Sequence, residues 1–402
     1  MNRAIGRGAD RRRVERPPRE GPRAREVGLD GGVISAALLL AGIGAVMIFS
    51  ITAPKASPDD VLPPFFLRQG EALLAGVVLA GLAAALPLRV WHALALPLWG
   101  ATALSLVAVL FVGIETNGAR RWLGVESAGL VLQPGEFAKF TSVLAASALL
   151  ARRDARSGVA PLRILAALGL AAVPAGLLLL QPDLGNAVLL CALVGLVLFV
   201  AGVSLRLLVA PAVLGAVGIA AYVAANPYAL NRVIGFLHPW ATAHSQGYQL
   251  VQSFVAFGRG GFFGVGVGGG MQKLHYLPEA HTDFVLAVVA EELGLAGVLV
   301  VLGAFAALLV AGVRIALRAR QRFAMLLAFG MTALLVVPAV LNGAVVMGLV
   351  PTKGLTLPFL SYGRSSVLAS CLALGVVLGI GRREARPGTP AIGKASPRGV
   401  VP

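Results

Sequence analysis

Apolar runs long enough to cross a bilayer recur ten times along this chain, near 31 to 52, 68 to 86, 91 to 113, 134 to 151, 163 to 180, 187 to 203, 207 to 225, 283 to 313, 323 to 350 and 364 to 380. A helix needs about 20 such residues to span ~30 Å of hydrocarbon. Inside lipid every backbone amide must be satisfied within the segment, which leaves helices as the fitting element. The expected fold class is an all-α integral membrane protein of about ten transmembrane helices. Composition agrees, with 57% hydrophobic and 13% charged residues, where a soluble domain has about 25% charged.

Charge placement orients the chain. Basic clusters stand at Arg3 to Arg25, at Arg152, Arg153, Arg156 and Arg163, at Arg314, Arg318, Arg320 and Arg322, and at Arg382, Arg383 and Arg386. With ten spans all four clusters fall on one side, which the positive-inside rule makes cytoplasmic. Both termini are therefore expected in the cytoplasm. Residues 1 to 30 and 381 to 402, rich in Arg, Pro and Gly, read as disordered tails around a membrane domain of residues 31 to 380. The net charge of +16 is not interleaved with stacking aromatics, so nucleic acid is excluded as a partner. Cys191 and Cys371 lie within apolar runs and indicate neither a disulfide framework nor a metal quartet.

The polar residues that remain gather in four outer loops: 115 to 140, 181 to 186, the long stretch 226 to 282, and 351 to 366. A long loop punctuated by glycine is more often functional than filler. Gly264, Gly266 and Gly269 formally match GxGxxG, but no βαβ unit surrounds them, so close backbone packing or a re-entrant turn is the better reading. His275 and His281 lack any zinc-ligand spacing, and no protein-bound metal site is expected. Asp283, at the start of the eighth run, suits either an N-cap or a catalytic carboxylate. Glu291 lies about 12 Å deeper along a helix and Glu292 points about 180° away from Asp283, so neither can pair with it. Both are expected to be buried partners of other polar groups.

"NGARRW", "QPGEFAKF", "QPDLGN", "RVIGFLHPW", "GYQLVQS", "LPEAHTDFVLAVVAEELG" and "LPTKGLTLPFLSYGRSS" occur in this order across the membrane region. Together they resemble the motifs of the SEDS family (shape, elongation, division and sporulation). The wording of the last motif is similar to the division branch more than to the elongation branch. The resemblance implies a peptidoglycan glycosyltransferase that polymerises lipid II at the outer face of the bacterial cytoplasmic membrane during septal wall synthesis. It also implies a class B penicillin-binding protein and other division membrane proteins as partners. The family's catalytic Asp maps onto Asp283, which as a general base would take the proton of the attacking sugar hydroxyl. Candidate substrate contacts are Lys139, Trp122, Arg120, Glu136, Arg232, Gln249, Gln252, Glu279, His281, Lys353, Ser361, Ser365 and Ser366. A divalent cation, Mg²⁺ or Mn²⁺, is expected only together with the substrate pyrophosphate, and no organic cofactor. Gly135, Asn186, Pro338 and Arg364 depart from the family's usual residues. The competing readings are a lipid II flippase, an elongation-type polymerase and a silent scaffold. Motif residues crowding one end of the bundle favour surface chemistry over translocation.

Overall fold

The structure, a computed structural model, describes residues 28–57, 59–116, 118–125, 130–152, 159–352 and 354–384. Long helices stand at all ten expected positions: α1 (Gly28–Thr52), α2 (Pro64–Ala85), α3 (Leu88–Val112), α4 (Pro134–Leu150), α5 (Pro161–Leu180), α6 (Leu184–Val200), α7 (Leu205–Ala225), α10 (Val285–Arg318), α11 (Arg322–Val346) and α12 (Arg364–Glu384). Eight are long and apolar enough to cross a membrane. The other two, α4 and α6, have 17 residues each and reach about 26 Å at 1.5 Å per residue. Two departures come at the ends: α1 starts within the expected N-terminal tail and α12 continues to Glu384. The remainder of both tails lies outside the described residues.

A third departure lies outside the spans and leaves the helical membrane fold as expected. Between α3 and α4 the chain forms a three-stranded antiparallel sheet of β1 (Ile114–Thr116), β2 (Ala119–Val125) and β3 (Leu130–Leu132), with β2 in the middle. Glu115 pairs with Arg120 and Leu123 with Leu132. A segment at the end of a bundle has no helical neighbour to bond its amides, and strand pairing satisfies them. The long loop likewise contains two helices, α8 (Pro227–Leu237) and α9 (Tyr248–Gly260), which sequence reading left as loop. Both are amphipathic and too short to span a bilayer.

The helices sort by what surrounds them. α4, α11, α12 and the first turns of α10 are buried almost throughout. α7 has no buried residue, and Leu74, Val77, Val78 and Leu82 of α2 point outward. An apolar outer face is what a chain dissolved in lipid tails requires.

α10 is broken. Gly294 has φ 69° and ψ −168°, a conformation open to glycine at little cost. The break removes intrahelical partners, and the returning loop replaces them. Val265 and Gly266 donate to the carbonyls of Glu291 and Glu292 at 3.0 Å each, while Leu295 and Ala296 donate to Gly261 and Phe262 at 2.9 and 3.0 Å. Of the expected glycines, Gly264 packs backbone to backbone here, where an added Cβ would collide with the Glu292 carbonyl oxygen.

The two ends of the bundle differ in chemistry. At one end Arg322 donates to the carbonyls of Leu150 (3.1 Å) and Ala201, and Arg383 to that of Ala85 (3.1 Å). These guanidiniums close the C-terminal ends of α4, α6 and α2, where cations complement the helix dipole. The motif loops collect at the opposite end.

Candidate functional site

Asp283 ends the segment that leads into α10. The N-cap of that helix is Phe284, with no side-chain cap, so the capping role considered for Asp283 is not the one it plays. Its backbone carbonyl accepts a 2.7 Å hydrogen bond from Asn342 Nδ2 of α11. Its carboxylate faces the backbone at Gly354, where an added Cβ would sit 2.9 Å from Oδ2. No side chain larger than hydrogen fits that contact without a shift. Asp283 retains some accessible surface, so the carboxyl is crowded by protein yet reachable. Burial, followed by the negative charges of Glu279 and Asp183, raises it to about 7, against the opposing pull of Arg232 and Arg121. A carboxylate poised near neutral pH is suited to taking a proton.

Three outer loops supply those neighbours, with Arg232 and Glu279 both in the stretch between α7 and α10. Arg121 of β2 donates through Nε to the carbonyl of Gln181 (3.1 Å) and through Nη2 to that of Pro182 (2.6 Å). This ties the sheet to the α5–α6 loop. Asp183 caps α6 by accepting from the Asn186 backbone (3.2 Å) and takes a second bond from Asn186 Nδ2 (2.8 Å). Asn186 Oδ1 accepts from Lys139 Nζ (2.9 Å), and Lys139 pairs with Glu136 at 2.8 Å. The buried chain Glu136–Lys139–Asn186–Asp183 therefore runs from α4 to the site, with the unusual Asn186 as its bridging amide.

The structure sorts the remaining candidates. Arg232 of α8 donates to the Thr352 carbonyl at 3.2 Å. With Asn231, Gln246, Tyr248 and Gln249 it lines an open cavity of about 350 Å³. Gln252, one turn further along α9, is not in that lining. Glu279 is exposed and accepts from Thr282 Oγ1 at 3.1 Å. The His281 ring sits between Phe65 and Tyr362, at centroid distances of 5.4 and 5.8 Å. Trp122 is half-buried on β2, and Arg120 is held by Glu115 at 3.4 Å. Lys353 lies outside the described residues.

Four predicted contacts are turned inward instead. Lys139 is 5% exposed and paired. Ser361 Oγ accepts from Leu357 N (2.8 Å), Ser365 Oγ from Gln133 N (2.8 Å), and Ser366 Oγ meets Thr356 Oγ1 (2.9 Å). All three serines are buried and tie the 351–363 loop and the head of α12 in place. Burial leaves a hydroxyl no solvent, so each takes a protein partner.

The two deep glutamates are occupied as expected. Glu291 accepts from Met271 N and Gln272 N (2.9 and 3.1 Å), with Arg259 at 3.8 Å. Glu292 accepts from Lys273 (2.7 Å), Ser50 (2.8 Å) and Gly268 N (3.0 Å). They clamp the 268–273 stretch and α1 onto α10. No group of three His, Cys, Asp or Glu suited to a metal ion occurs among the described residues.

Sequence reasoning undervalued three residues here. Arg121, Asp183 and Asn342 are absent from the substrate contacts expected from the sequence. An amide inside an apolar run is the signal that was available, because a polar group at that depth is retained only with a job.

Known proteins are similar to this chain over most of its length. The family described as cell cycle protein (FtsW, RodA, SpoVE) matches residues 32–386. A protein of Coxiella burnetii named probable peptidoglycan glycosyltransferase FtsW is 40% identical over 357 residues, covering 87% of this chain and 95% of its own. One of the same name from Nitrosococcus halophilus is 41% identical, covering 86% and 90%. Among solved structures, a chain from work on the coordination of polymerization and crosslinking by a peptidoglycan synthase complex superposes with TM-score 0.73 at 34% identity, covering 89% of this chain and 99% of its own. The rod shape determining protein RodA of Thermus thermophilus superposes with TM-score 0.64 at 33% identity, covering 89% and 98%. With these matches spanning nearly its whole membrane region, the chain belongs to the FtsW/RodA/SpoVE family of cell cycle proteins, the SEDS family that its motifs resemble.

Proposed function

We propose that this chain is a peptidoglycan glycosyltransferase that polymerises lipid II at the outer face of the bacterial cytoplasmic membrane, in septal wall synthesis. The observation that carries the reading is the setting of Asp283: a carboxyl raised to about 7, with two carboxylates and two guanidiniums brought to it from three outer loops. In the reaction the acceptor's sugar 4-hydroxyl gives its proton to Asp283 and its oxygen bonds to the donor's anomeric carbon. The bond from that carbon to the pyrophosphate oxygen breaks, and undecaprenyl pyrophosphate leaves. General base catalysis contributes about 10²- to 10⁴-fold to such a step. Arg232 and Arg121 offer positive charge to the leaving group, and the cavity beside Arg232 offers amides and Tyr248 to a sugar.

Asp283, with Asp183 nearby, also suits a hydrated Mg²⁺ or Mn²⁺, because such ions use few protein ligands plus substrate phosphates. That ion would supply charge to the departing pyrophosphate. A class B penicillin-binding protein is the fitting partner, consuming the strands this chain makes, alongside other division proteins. A flippase needs polar access from both faces. Here the polar motif residues gather at the Asp283 end, while Arg322 and Arg383 at the other end cap helix carbonyls, which supports surface chemistry instead.

Two experiments test the reading. Purified protein given fluorescent lipid II, with and without its penicillin-binding partner, is expected to form glycan ladders; translocation without ladders would favour the flippase. A reporter active only outside the cytoplasm is expected to be silent at either terminus and active when inserted near Gly268. Activity at the C-terminus would overturn the ten-span orientation.

A further inference from the structure

Asn342 lies in α11 and is 1% exposed. Its Nδ2 donates twice, to the carbonyl of Asp283 at 2.7 Å and to that of Leu355 at 2.6 Å. Its Oδ1 has no partner among the described residues. Rotating the amide by 180° would press that oxygen against two carbonyl oxygens, so the two acceptors determine its orientation. An orphaned buried acceptor is costly, and the side chain is kept in this orientation by its two donor bonds.

Those bonds join the two segments that face each other across the site. One is the backbone of Asp283. The other is the 351–363 loop, whose Gly354 lies against the Asp283 carboxylate and directly precedes Leu355. A single side chain thus sets both where the carboxylate starts and where its wall stands. Helix α11 is buried against α10 and α4, so the anchor rests on a packed element.

We propose that Asn342 is a positioning residue for the transfer reaction, holding Asp283 and the 351–363 loop at the spacing from which the carboxylate meets the acceptor hydroxyl. The inference rests on the proposed glycosyltransferase activity. Asn342 touches no substrate, and it acts through Asp283. A displacement of about 1 Å at a reacting group can cost about 10²-fold in rate.

The test uses the full chain in its partner complex with two variants. Asn342→Asp keeps the volume but presents acceptors to two carbonyls, and Asn342→Ala removes both donors without adding charge. Ladder formation is followed against lipid II concentration, with lipid II binding, membrane abundance and thermal melting scored for the same samples. The expected result is a 10- to 100-fold fall in kcat for both variants, with KM and lipid II binding within about threefold of wild type. Wild-type kcat per folded molecule, or a loss that only follows the loss of folded protein in both variants, overturns the inference and leaves Asn342 structural. Failure of the wild type itself to form ladders overturns the glycosyltransferase reading, and the positioning role with it.

Discussion

Asp283→Asn is expected to abolish glycan polymerisation, by about 10²- to 10⁴-fold, while the protein still folds, inserts and binds lipid II. Asn keeps the side-chain volume and the backbone carbonyl that Asn342 holds. What it removes is the ability to take a proton. At 1.36 kcal/mol per decade that corresponds to roughly 3 to 5 kcal/mol of transition-state stabilisation. Stability should move the other way. Because burial raises the folded-state carboxyl to about 7, the folded protein holds a proton that the unfolded chain has lost between its ordinary value near 4 and pH 7. Stability from this group therefore falls as pH rises through that window and stays low above it. The uncharged Asn escapes this, so at pH 8 the variant is expected to melt no lower than wild type. Ladder formation, lipid II binding and melting temperature measured together check both halves. Polymerisation within a few-fold of wild type would send the search for the base to Asp183 and Glu279.

Lys139→Met is expected to be the most damaging change for folding among the motif residues. It strands Glu136, at 8% exposure, without its partner and takes the donor from Asn186. Breaking one side of a buried ion pair typically costs about 3 to 5 kcal/mol. Lower membrane abundance and a lower melting temperature are the outcome to look for. The double variant Lys139→Met with Glu136→Gln should recover much of that loss, because no buried charge remains uncompensated. If the single variant accumulates normally and loses only lipid II affinity, Lys139 is a substrate contact after all.

The parts of this protein that the solvent dictates were legible in its sequence. Lipid demands long apolar helices, and the helices fall where the apolar runs do, at Gly28–Thr52 through Arg364–Glu384. The burial of Glu291 and Glu292 was legible for the same reason, since a carboxylate at that depth needs partners. Loop architecture was not. The β2 pairings depend on which segments the helix ends bring together, and no periodicity in 114–132 announces them. The break at Gly294 is not announced by its neighbours, since a single glycine between Leu293 and Leu295 is ordinary in a membrane helix. Residue type pointed Ser361, Ser365 and Ser366 toward substrate, whereas their hydroxyls serve the backbone and a threonine of their own neighbourhood. Composition cannot tell a ligand-facing hydroxyl from one that stitches a loop. The same limit hid Asp183, whose importance comes from facing Asp283 across 100 residues of chain rather than from its local motif.

The pH dependence of ladder formation tests most directly whether Asp283 is the base. With lipid II saturating and the partner present, the rate is expected to rise tenfold per pH unit below about pH 6 and to level off above about pH 8, with its midpoint near the raised value of about 7. Any residual activity of Asp283→Asn is expected to lack that midpoint. A wild-type rate that stays flat from about pH 5.5 to 8.5, or a variant that keeps the same midpoint, would contradict the assignment.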